Sequence, residues 1–167
     1  MIGSKASKVI FATAFACASL VGPAANAATT TASFGVSITL QKACLINSAS
    51  AMAFGSNSNS LTSNTDSTSA ISVLCTATTP YTIGLDQGTT TGATTSTRKM
   101  VSGASTVNYS LSSDSARATN WGNVIADWVS GVGTGVPVST TVYGRVPVQA
   151  APAPGTYTDT ITVTVTY

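Results

Sequence analysis

The chain has 167 residues, only 7% of them charged, with no histidine and no glutamate. This rules out Ser–His–Asp catalysis and leaves acid–base work to Asp66, Asp86, Asp114, Asp127 and Asp159, which nothing in the sequence brings together. Beyond residue 27 those aspartates balance Lys42, Arg98, Lys99, Arg117 and Arg145, so no basic stripe for nucleic acid or anionic lipid is expected, and no catalytic residue, cofactor or metal.

The chain opens with Lys5 and Lys8, an uncharged stretch from Val9 to Val21, Gly22-Pro23 and the small triplet Ala25-Asn26-Ala27. That layout predicts a signal peptide over residues 1–27, cleaved after Ala27. As a helix the apolar stretch would span about 20 Å, short of a hydrocarbon core of roughly 30 Å, so a membrane anchor is not expected. Cys17 lies inside it, but Ala14 stands where a lipoprotein would need leucine. Cys44 and Cys75 remain in the exported chain, and an even pair in an oxidising compartment predicts a disulfide. Two thiolates without histidine cannot close a tetrahedral metal site.

Residues 28–167 suffice for one domain, and their Thr, Ser and Val recur with a period of two, predicting an all-β sandwich. The first strand sets Phe34, Val36, Ile38 and Leu40 against Gly35, Ser37, Thr39 and Gln41, and a second begins near Ala43–Asn47. Ser48 to Ser69 reads as loop with at most a short strand, interrupted by Met52-Ala53-Phe54-Gly55. Further strands are expected around Ile71, Val73 and Cys75; Tyr81, Ile83 and Leu85; and Val107, Tyr109 and Leu111. Gln87 to Thr97 reads as loop and Gly131-Val132-Gly133-Thr134-Gly135 as a flexible turn. Val138 to Val148 is expected at a sheet edge because of Pro137 and Pro147, and Tyr157 to Tyr167 forms the last and clearest alternation. Trp121 and Trp128 could stack on sugar rings, although core packing or loop anchoring is the expected use.

The N-terminal strand poses a geometric question. Gln41, Lys42 and Ala43 alone separate it from Cys44, and none is a residue that favours tight reversal. The strand is therefore expected to run away from its own domain as an arm of roughly 24 Å. Burying its four apolar side chains in another subunit would contribute on the order of 6–12 kcal/mol before ordering costs. The alternative is an ordinary edge strand of the same sandwich. If the arm leaves, the sandwich lacks a strand and keeps an open groove beside its final strand, allowing head-to-tail growth.

Several pieces in order resemble the spore coat protein U domain family, which includes rod subunits of archaic chaperone–usher pili. They are the arm followed by Cys44, Phe54-Gly55, Cys75 with Tyr81, Arg98-Lys99-Met100, Val107 to Leu111, Trp121-Gly122, Val142 to Pro147, and Pro154 to Thr160. The resemblance implies an incomplete immunoglobulin-like β-sandwich over 44–167, preceded by a donor strand and hinge over 28–43. It implies a subunit held by a periplasmic chaperone and polymerised at an outer-membrane usher by donor-strand exchange, in a surface pilus serving adhesion and biofilm formation. Phe34, Val36, Ile38 and Leu40 would then be donor residues and Gln41, Lys42 and Ala43 the hinge. Ile161, Val163, Val165 and Tyr167 would border the acceptor groove or meet the chaperone. A non-filamentous coat or matrix protein and a carbohydrate-binding sandwich are the competing functions.

Overall fold

A computed structural model describes residues 27–58 and 61–167; the predicted signal segment falls outside the described residues, apart from Ala27. The chain divides into an N-terminal segment that ends at Ile38 and a compact unit, Thr39–Tyr167. Among the described residues of the first segment none lies in a strand, and Phe34, Val36 and Ile38 are 87%, 84% and 83% exposed. The strand expected over residues 34–40 thus forms no ladder, since a β-strand needs a partner for its backbone and none is engaged there.

The compact unit contains eight strands among the described residues: β1 (Cys44–Ala49), β2 (Thr65–Cys75), β3 (Pro80–Leu85), β4 (Arg98–Ser102), β5 (Ser105–Ser112), β6 (Val129–Val132), β7 (Val138–Val146) and β8 (Val163–Thr166). They form a five-stranded sheet in the order β1-β2-β7-β5-β4 and a three-stranded sheet in the order β6-β3-β8, with every pairing antiparallel. The all-β sandwich expected from the alternation is therefore present.

Period-two patterning explains the core. Ile71, Val73 and Cys75 of β2, Val107, Tyr109 and Leu111 of β5, and Val142 and Val146 of β7 are buried from one sheet, and Tyr81, Ile83 and Leu85 of β3 from the other. Trp121 is completely buried among them and donates its indole N–H to the carbonyl of Ile83 at 2.9 Å, so it is core and no sugar platform. Trp128 is half-buried, its indole lying so close over Gly84 that a Cβ there would meet Nε1 at 3.0 Å.

Four expectations need correction. β2 begins at Thr65, inside the stretch read as loop, because its polar half pairs with β7 from Thr65↔Val146 onward and carries the Asp66–Arg145 ion pair. β7 lies between β2 and β5 and is central, since Pro137 and Pro147 stand just beyond its ends and cost it no ladder bond. Gly131 and Val132 belong to β6, where Gly131 lies against the ring of Tyr81; Gly133 still bonds back to Thr78 and Thr79, and the bend comes only at Gly135.

The last alternation is the fourth. Its ladder with β3 covers Val163–Thr166 alone. At Thr162 the carboxylate of Asp86 accepts the backbone N–H at 2.9 Å, and the chain upstream crosses toward the other sheet, where Thr158 and Val101 exchange both backbone hydrogen bonds.

Candidate functional site: an apolar trough and an exposed arm

Two sheet edges define the site. β1 ends the five-stranded sheet and β8 ends the three-stranded sheet, and the two approach each other without forming a ladder. Between them the sandwich is open. A cavity of about 440 Å³ is floored by core residues, Ile71, Leu85, Leu111 and Val142, and walled by Ile161 and Val163. A second cavity, about 670 Å³, continues it toward Leu61, Val107, Val146 and the Pro-rich segment 151–155. Met52, Phe54, Met100 and Tyr157 line both, so the two form one trough.

The elements that build this trough follow from local chemistry. β1 carries a bulge between Ile46 and Ser48, and the loop after it folds back so that Met52 packs against Gly144 of β7. Phe54 stacks edge-on against Tyr109, with ring centroids 6.2 Å apart. On the opposite wall Asp159 is held by three donors besides its own neighbour: the backbone N–H and hydroxyl of Thr89 at 2.9 and 3.0 Å, and the Tyr109 hydroxyl at 2.8 Å. Burial, with the bond to Asp159, pushes the Tyr109 phenol far above its ordinary value, so it stays a donor.

Beneath that wall Arg98 is fully buried and donates to the carbonyls of Asp86, Thr95, Leu85 and Trp121, at 2.8, 2.6, 3.1 and 2.7 Å. Burial lowers its pKa, while the charges of Asp86, Asp159 and Asp127 work to hold the proton. Those aspartates lie far apart along the chain, and the fold brings their charges to bear on one guanidinium. Hydrogen bonds from Thr162 and Gly88 hold the Asp86 carboxyl below the usual range against the opposing effect of burial.

The predicted groove residues separate into two pairs. Ile161 and Val163 line the trough; Val165 is half-buried against the core and Tyr167 is 59% exposed, and neither lines it. Met52, Met100 and Tyr157 line it too, and none is among the expected groove residues; the one local signal is the apolar Met52-Ala53-Phe54 in a polar loop. Among the predicted donor residues, Leu40 is 84% exposed, like the three upstream. Within the predicted hinge, Ala43 is fixed: its carbonyl accepts the N–H of Thr76 at 2.9 Å and its N–H reaches the Thr76 hydroxyl at 3.3 Å. Gln41 and Lys42 are exposed. Immediately beyond, a disulfide joins Cys44 to Cys75, which are also direct cross-strand partners.

A model of the Spore Coat Protein U domain matches residues 30–164, from the arm into the first half of the final strand. The chain belongs to this family. It is 34% identical over 177 aligned positions to Protein U of Myxococcus xanthus, covering 97% of this chain and 99% of that protein. Its fold is similar to a chain in the crystal structure of the CsuC–CsuE chaperone–tip adhesion subunit pre-assembly complex from archaic chaperone–usher Csu pili of Acinetobacter baumannii. That match has a TM-score of 0.56 at 22% identity, covering 77% of this chain and 41% of the other.

Proposed function

We propose that the chain is a structural subunit of an archaic chaperone–usher pilus that polymerises by donor-strand exchange. The observation that carries this reading is the coexistence, in one chain, of an apolar arm more than four-fifths exposed at Phe34, Val36, Ile38 and Leu40 and an apolar trough at an open sandwich edge. Each is a liability alone: exposed apolar surface of this kind drives association, and an unpaired strand edge templates another strand. A second copy remedies both. Each subunit then donates one strand and accepts one, so growth is head-to-tail and does not close.

In this reading residues 1–27 are an export signal, 28–43 the donor strand and hinge, and 44–167 the accepting domain. A periplasmic chaperone covers the trough before assembly, an outer-membrane usher admits the subunit to the fibre, and the fibre reaches the cell surface, where it supports adhesion and biofilm formation. The role is structural rather than enzymatic, in keeping with a chain that lacks histidine and glutamate.

The test is Ile38→Asp. A carboxylate in the middle of the arm has no partner in an apolar trough. Fibres should disappear from cells expressing the intact operon, while the trough, unaltered in this variant, still binds the chaperone. Normal fibres from the variant would overturn the donor assignment. A second reading, a non-filamentous coat protein, is favoured by the full-length match to Protein U; it predicts that negative-stain microscopy of the unaltered strain shows a surface layer without fibres.

A further inference from the structure

After residue 1 the methionines of the sequence are Met52 and Met100, and both line both cavities of the trough. They reach it from different elements, Met52 from the loop after β1 and Met100 from β4, and both are half-buried against the core. Beyond residue 27 the cysteines are Cys44 and Cys75, already joined. Every readily oxidised sulfur of the exported chain is therefore in the trough.

We propose that Met52 and Met100 form an oxidation-sensitive site that controls whether the trough can accept a strand. The reactant is a hydroperoxide. Its O–O bond breaks, one oxygen forms a bond to the thioether sulfur, and the sulfur gives up two electrons; with hydrogen peroxide the products are the sulfoxide and water. Methionine suits an adaptable apolar lining, and the sulfoxide is a polar group of different shape. At Met52 the sulfur packs so closely on Gly144 that a Cβ there would collide with it, which leaves no space for an added oxygen on that side. The oxygen must emerge on the open side, where a donated strand places apolar side chains and offers no hydrogen bond. A filled trough covers both thioethers, so the susceptible form is the unassembled subunit and the fibre is resistant.

This inference rests on the donor-strand reading, and the experiment separates the two. The probe is a labelled peptide of residues 30–41, which contains no sulfur. The chain comprising residues 28–167 is refolded before or after hydrogen peroxide treatment, the sulfoxides are located by peptide mass spectrometry, and peptide affinity is measured. Oxidation of both sulfurs should weaken binding on the order of tenfold or more. Methionine sulfoxide reductase should restore it, and in a Met52→Leu/Met100→Leu chain, whatever affinity the altered lining gives it, peroxide treatment should leave that affinity where it was. Undiminished binding by the doubly oxidised chain overturns the inference and leaves the donor reading standing. Failure of the untreated chain to bind the peptide overturns both. A second measurement compares sulfoxide formation in assembled polymer and in single subunits; equal rates at Met52 and Met100 also overturn it.

Discussion

The hydroxyl of Tyr109 donates to the carboxylate of Asp159 at 2.8 Å, joining the middle of a core strand to the crossing segment that walls the trough. Asp159 also receives the backbone N–H and hydroxyl of Thr89, so one carboxylate holds the loop after β3, the strand β5 and the trough wall together. Tyr109→Phe should cost about 1–2 kcal/mol in urea denaturation, and Asp159→Ala more, because it orphans several donors at once. The double variant should fall short of the summed losses, since both changes remove the same bond. Strict additivity would show that the pair is not coupled. Hydrogen exchange at the Thr89 amide should accelerate in Asp159→Ala.

Arg98 gives a sharper case. Four backbone carbonyls converge on its guanidinium, and lysine offers one ammonium that cannot reach them all. Arg98→Lys, which preserves charge, should still destabilise by roughly 3 kcal/mol, with buried carbonyls left unpaired. The midpoint of urea unfolding, followed by fluorescence of the buried Trp121, measures it. A loss below about 1 kcal/mol would mean that water reaches those carbonyls in the variant.

Acid should weaken the fold through two carboxylates. Asp86 is held below the ordinary value of 3.8 by the hydrogen bonds from Thr162 and Gly88, which outweigh burial, and Asp66 chiefly by its hydrogen bonds from Arg145. A depressed folded-state pKa means that the unfolded chain takes up the proton first as pH falls. The stability contributed is complete above the unfolded value and drains away as pH drops through the folded one. Melting temperature should therefore be level near neutrality and fall below about pH 4. Asp86→Asn should flatten part of the fall, and the Asp66 part, being exposed, should shrink in high salt. A melting temperature that stays level down to about pH 2.5 would refute both assignments.

The sandwich was legible because β2, β3 and β5 carry alternating apolar residues that a period of two exposes directly. The arm was legible for the same reason, together with the missing turn before Cys44. What stayed hidden depends on pairs distant in sequence. Asp86 ends the β3–β8 ladder by accepting Thr162, and no local pattern in Tyr157–Tyr167 announces it. Proline at both ends of β7 suggested an edge, yet β5 pairs with β7 over Ser110–Ser112, and beyond that ladder the Gln149 side chain binds the strand backbone: it accepts the Asn108 N–H and donates to the Asn108 carbonyl, each at 2.9 Å. The trough required Met52, Met100 and Tyr157 to meet in space, and Arg98 has no periodic neighbours to mark it as buried.

The position of the Cys44–Cys75 bridge has a mechanical consequence. It occupies the first rung of β1, next to the residue from which the arm departs, on an edge strand that is otherwise exposed. Tension applied at Ala43 would begin to unzip β1 from that end, one rung at a time, the geometry in which hydrogen bonds resist least. A covalent first rung diverts the pull into β2, which is ladder-bonded on both sides. The strand most easily peeled is thereby relieved of the force, and the domain can be tugged through its own N-terminus without starting to unravel there.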